Sequence, residues 1–122
     1  MDFLFNTIEV ADIEKSLQFY TEILNLELAR RFKPRPGVEI IFLEDEQGNN
    51  VELIEYEERQ NPDSKKESKI KMGFGVEDLD QTIKFLNDKK IAIKEGPIQI
   101  KDGRFINIED PDGVMIGLYE FN

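Results

Sequence analysis

Apolar residues along this chain alternate with polar ones in short runs, broken twice by a stretch of helical period, and this order of periods occurs two times. FLFNTIEV (3–10) and KIKMGFGV (69–76) read as strands. Each is followed by an aspartate, Asp12 or Asp78, at a position where its carboxylate can cap the first free N–H groups of a helix. The stripes Ile13, Leu17, Tyr20, Leu24 and Leu79, Ile83, Leu86 then predict helices over 12–24 and 79–89. Short strands around Leu28–Phe32 and Ile91–Lys94 come next, each with a Pro-Gly turn, followed by the strands VEIIFLE (38–44) and RFINIE (104–109). Tight turns at EDEQGNN and EDPDG lead into the last strands, VELIEY and MIGLYEF.

The two halves are one pattern written twice. Glu44/Glu109, Asp45/Asp110, Gly48/Gly113, Leu53/Leu118 and Glu55/Glu120 are identical pairs at one offset, and Val10/Val76, Asp12/Asp78 and Phe19/Phe85 at an offset one residue longer. The prediction is α+β: two βαβββ modules in tandem, forming an open curved mixed sheet within a single domain, 1–122. Module one covers 1–57 and module two 70–122. Between them lies a charged, Pro-containing linker at 58–69.

One helix covers only one face of a four-stranded sheet, so each module leaves the other face for a ligand, a partner or solvent. Strand alternation assigns the residues. Ile8 and Val10, Met72, Phe74 and Val76, Val51 and Leu53, and Ile116 and Leu118 face the helices. The open face then holds Phe5, Thr7, Glu9, Glu52, Ile54 and Tyr56 in module one, with Lys71, Gly73, Gly75, Met115, Gly117 and Tyr119 in module two. Tyr56, Tyr119, Phe5 and Met115 could wall a flat organic ligand, and the three glycines leave room for one. Arg30 and Arg31, with Arg35 inside the KPRPG segment, could close over a ligand, although the segment reads first as a solvated loop.

Composition narrows the chemistry. The chain has no His and no Cys, which removes imidazole bases, imidazole ligands, thiolate nucleophiles and disulfides. With 26 acidic against 16 basic residues and a net charge of −10, it repels phosphate backbones, so no nucleic-acid partner is expected. The acidic balance suits a cationic ligand. No apolar run approaches the roughly 18–20 residues of a membrane span, and the first residues do not resemble a signal peptide. A cytoplasmic location without membrane association is the expectation.

Paired βαβββ modules with IEVADIEKSLQFYTEILNLEL at the start and IEDPDGVMIGLYE at the end resemble the vicinal-oxygen-chelate superfamily. That group includes glyoxalase I, bleomycin-resistance proteins and extradiol dioxygenases, and the opening residues are most similar to bacterial glyoxalase I. In metal-dependent members, the resemblance implies one ligand from the first strand and one from the last strand of each module. The matching positions here are Phe5, Glu52, Lys71 and Gly117, so one of four ligands is retained. A single carboxylate beside an ammonium does not hold a divalent metal against water.

The expectation is therefore a protein without metal or other cofactor, similar to bleomycin-resistance proteins. It would bind a small organic ligand, with a cationic one favoured by the acidic balance, and assemble as a homodimer. The alternative is a lactoylglutathione-lyase-like enzyme with a relocated or degenerate metal site. Glu52 would then be the candidate catalytic base; the competing reading pairs it with Lys71.

Overall fold

The structure, a computed structural model, describes residues 1–59 and 69–122. The chain divides into two compact units, Met1–Lys65 and Lys66–Asn122. Each unit is one βαβββ module, so the α+β tandem fold read from the sequence is the fold observed. Strands β1 (Asn6–Glu9), β2 (Glu27–Arg35), β3 (Val38–Glu44) and β4 (Asn50–Tyr56) form the first sheet in the order β1-β4-β3-β2. Strands β5 (Lys71–Gly75), β6 (Glu95–Ile100), β7 (Gly103–Glu109) and β8 (Met115–Phe121) form the second in the equivalent order β5-β8-β7-β6. In both sheets the first and last strands pair in parallel and the other pairs are antiparallel, so the hydrogen-bonded pairing makes two four-stranded mixed sheets.

The helices begin where the aspartates placed them. Asp12 accepts hydrogen bonds from the N–H groups of Glu14 and Lys15, and Asp78 from that of Gln81. A second carboxylate reaches each helix from the sheet. Glu55 accepts from Ile13 N and Glu120 from Leu79 N, both at 2.7 Å. This explains the identical Glu pair in the repeat: it ties the helix start to the last strand and places negative charge at the positive end of the helix dipole.

Helix α1 runs over Ile13–Gln18 and widens into a π turn at Phe19–Ile23, where Leu24 N donates to Phe19 O. The wider turn shifts the apolar stripe. Ile13, Ser16, Phe19 and Tyr20 are buried, whereas the predicted Leu17 and Leu24 are only half-buried. Helix α2 (Leu79–Asp88) buries Leu79 and Leu86 as predicted. Under the helices, Ile41, Leu43 and Leu53 in unit one are fully buried, as are Ile106, Ile108 and Ile116 in unit two. Each such side chain contributes about 1.5–3 kcal/mol by leaving water.

Several boundaries differ from those expected. β1 and β5 are shorter, so Phe5 precedes its strand. β2 extends through Arg35, which makes the arginine-rich stretch a strand rather than a loop. No strand forms at 91–94, and the strand of that repeat position is Glu95–Ile100, with Pro97 inside it. Pro97 has no N–H to give a ladder, and it sits on the edge strand within a register shift between Glu95 and Ile98. The Gly-Pro pair expected to turn the chain thus lies in a strand, and the turn falls at Lys101–Asp102. Of the predicted linker, Glu58 and Arg59 belong to a short 3-10 turn, Glu57–Arg59, and 60–68 lies outside the described residues.

Candidate functional site

Both EDxxG turns are structural. Asp45 accepts from the N–H groups of Gln47 and Asn49, and buried Asp110 accepts from those of Asp112 and Val114. The groups with displaced pKa values likewise serve the scaffold. Arg31 holds Glu39 below the usual carboxylate range, Arg104 and then Leu79 N–H do so for Glu120, and the Asn49 side chain with neighbouring N–H groups does so for Asp45. Glu39 and Glu120 lie on the helix side of their sheets, away from the open faces.

On the open face of unit one, parallel pairing sets Thr7 beside Glu52. Thr7 Oγ1 donates to Glu52 Oε1 at 2.6 Å, which fixes the Glu52 carboxylate. Glu9 is paired with Ile54, and Ile54 with Ile40. Half-buried Tyr56 ends the strand opposite Val38. Phe5 packs edge-on against Phe42 at 5.1 Å, and Phe42 stacks on Phe32 at 6.5 Å. The Arg30 guanidinium lies 4.8 Å above the Phe32 ring.

Unit two differs. Lys71 is paired with Met115, Gly73 with Gly117, and Gly75 with Tyr119. The Lys71 ammonium sits 4.5 Å above the Phe105 ring and 5.2 Å from that of Tyr119, which itself stacks between Phe105 and Phe121. The lysine stem crosses Gly117. A Cβ at 117 would meet Lys71 Cε and Tyr119 Cε1, each at 2.6 Å. A Cβ at Gly73 would touch the same tyrosine ring at 3.4 Å, and only Gly75 of the three faces open space.

Phe32, Phe42, Phe105 and Asn107 are members of these faces that the sequence reading did not assign. Alternation applied to the third strand of each module contains three of them: with Ile41, Leu43, Ile106 and Ile108 inward, Phe42, Phe105 and Asn107 must be outward, while Phe32 reaches the face from β2 through its pairing with Ile40.

Three of the four residues at the positions that the resemblance assigns to a metal do not fit as ligands. Phe5 is packed as a ring, Lys71 is a cation, and Gly117 has no room for a carboxylate while Lys71 and Tyr119 lie where they do. Among the described residues no group of three or more Asp, Glu, His or Cys is gathered as a ligand set. None of the described helices is long and apolar enough to cross a membrane.

Fold and faces define a member of a known class: residues 5–118 match the Glyoxalase/Bleomycin resistance protein/Dioxygenase superfamily, and the chain belongs to it. A probable lactoylglutathione lyase of Synechocystis sp. is 34% identical, over 97% of this chain and 95% of that protein. Among solved structures, TnmS3, an antibiotic binding protein from Streptomyces sp. CB03234, superposes with a TM-score of 0.77 at 22% identity, covering 100% of this chain and 97% of that one. The trypanothione-dependent glyoxalase I of Leishmania major gives 0.80 at 24% identity, covering 98% and 86%. At these identities the solved structures speak to the fold alone.

Proposed function

We propose that this chain is a metal-independent small-molecule-binding protein of the glyoxalase/bleomycin-resistance superfamily, taking a flat organic ligand on its open sheet faces. The observation that carries the reading is Gly117, whose side-chain space is taken by Lys71 and the Tyr119 ring. A position that supplies a carboxylate ligand in metal-dependent relatives here floors an aromatic stack. Clusters of rings with a few fixed polar groups suit planar ligands. Glu52, held by Thr7, supplies an oriented negative charge, and the net charge of −10 favours a cationic ligand. TnmS3, which shares the fold, is named as an antibiotic binding protein, and this supports the binding reading. We place the protein in the cytoplasm as a homodimer, because a monomer would leave rings such as Phe3 and Phe121 largely in water.

The second reading is a lyase-like enzyme with Glu52 as the base, and the 34% identity to a probable lactoylglutathione lyase favours it. One preparation separates the two. Protein purified without chelators should hold substoichiometric Zn²⁺, Ni²⁺ or Fe²⁺ and show no lactoylglutathione lyase activity when any of them is added. It should melt higher with at least one member of a panel of planar organic compounds, cations included. Metal near one equivalent per chain, with activity lost in Glu52→Ala, would establish the enzyme instead.

A further inference from the structure

Asn107 carries the one buried side-chain oxygen, among the described residues, that has no hydrogen-bond partner. The residue is 5% exposed and stands opposite Gly117 on the open face of unit two. Its amide nitrogen donates to Glu95 Oε1 at 3.1 Å. An ionised carboxylate can only accept, so Glu95 fixes the NH₂ end toward itself and turns Oδ1 the other way. Buried acceptors are nearly always satisfied, because leaving one bare loses the hydrogen bond that water gave it.

A matching donor lies alongside. The Lys71 ammonium would be 3.2 Å from a Cβ on Gly117, and it makes no hydrogen bond or ion pair with a described residue. Among the described residues of its unit it rests on the rings of Phe105 and Tyr119. A buried acceptor without a donor and a solvent-exposed ammonium therefore flank one glycine beside an aromatic pair. Lys71 is exposed, and its stem is flexible enough to move aside.

We propose that Asn107 and Lys71 are a recognition pair for the edge of a planar heteroaromatic lactam or imide. The ring lies against Phe105 and Tyr119, its N–H donates to Asn107 Oδ1, and the adjacent carbonyl accepts from Lys71 Nζ. This rests on the small-molecule-binding reading and names its polar specificity.

The probes are 2-quinolone and N-methyl-2-quinolone, which share ring and carbonyl and differ at the N–H. Calorimetric titration of the wild type should show at least about tenfold tighter binding of 2-quinolone, the value of one well-made hydrogen bond to a buried acceptor. Asn107→Leu should abolish that ratio by weakening 2-quinolone alone. Lys71→Met should weaken both compounds alike. Equal binding of the two by wild type, or equal weakening of both by Asn107→Leu, would overturn the assignment of Asn107 while leaving the binding reading intact. If neither binds, the proposal fails, and the wider reading is decided by the ligand panel.

Discussion

The two units keep the same skeleton and differ on their open faces. Strand order, parallel first pair, aspartate cap, sheet-borne glutamate on the helix and aspartate turn recur in both. At the positions that the family resemblance would assign to a metal, unit one has Phe5 and Glu52 and unit two has Lys71 and Gly117. The shared Asp12/Asp78, Asp45/Asp110 and Glu55/Glu120 satisfy backbone N–H groups, and the shared Leu53/Leu118 fill the space between helix and sheet. A change there costs stability in either unit. The open faces carry no such obligation, so their residues could diverge in shape and charge. What is duplicated is therefore the scaffold, and what differs is the part that meets a ligand.

The comparison is sharpest at the start of the third strand, where the repeat pairs buried Val38 with Gly103. A Cβ on Gly103 would lie 2.0 Å from the carbonyl oxygen of Glu120, which is backbone and cannot turn away. Writing unit one's residue into unit two, as Gly103→Val, should cost about 3 kcal/mol or more, read by urea unfolding. A loss no larger than that of an ordinary surface change would show that the two strand starts are interchangeable after all.

A smaller effect is expected at Gly117. Gly117→Ala drives a methyl against the Tyr119 ring, which is stacked on both sides, and should cost about 1–3 kcal/mol. Removing the lysine stem in Lys71→Ala should recover only part of the loss, because the ring remains. Full recovery in the double variant would mean that Lys71 alone fills the position. No loss in the single variant would mean that the face is softer than the stack implies.

The scaffold was readable because each of its devices is local or periodic. Asp12 and Asp78 announce helix starts, period two marks the strands, and the doubled pattern gives the topology. Boundaries failed where tertiary pairing decided them: Pro97 reads as a breaker but is tolerated on an edge strand, and the π turn after Gln18 leaves no local signature. On the faces, alternation puts Thr7 and Glu52 on one side, while their pairing depends on the strand register, and Phe42, Phe105 and Asn107 follow only when alternation is extended to the third strands. The lysine lying over Gly117 was beyond reach, since it depends on how a flexible side chain settles against rings from two other strands.

The least of the expected effects concerns the arginines, and it sets the units apart in how they treat one repeat position, 39 and 104. In unit two, Arg104 directly faces Glu120 and bonds it at 2.9 Å, with Asp80 of the helix as a second partner. In unit one that position is Glu39, directly opposite Glu55, so two carboxylates face each other across the strands. Arg31 comes from the next strand to relieve this, bonding Glu39 at 2.6 Å and also pairing with Glu14. Arg31→Met should therefore leave Glu39 and Glu55 facing each other as like charges, eased only by Lys33 and the Ile13 N–H, whereas Arg104→Met leaves no second carboxylate opposite Glu120. Both clamps are partly open to solvent, so the Arg31 loss is expected within about 0–1 kcal/mol at neutral pH. Its sign with pH follows from Glu39, whose folded-state pKa is lowered by Arg31. That contribution is present above the unfolded carboxylate value of about 4.3 and is lost as pH falls through the lower folded one. Wild type and Arg31→Met should thus converge in stability as pH falls below about 4.3 and separate above it. A difference that stays constant from neutral pH to that range would assign the loss to packing of the arginine stem, and the charge contrast between the units would then carry no stability.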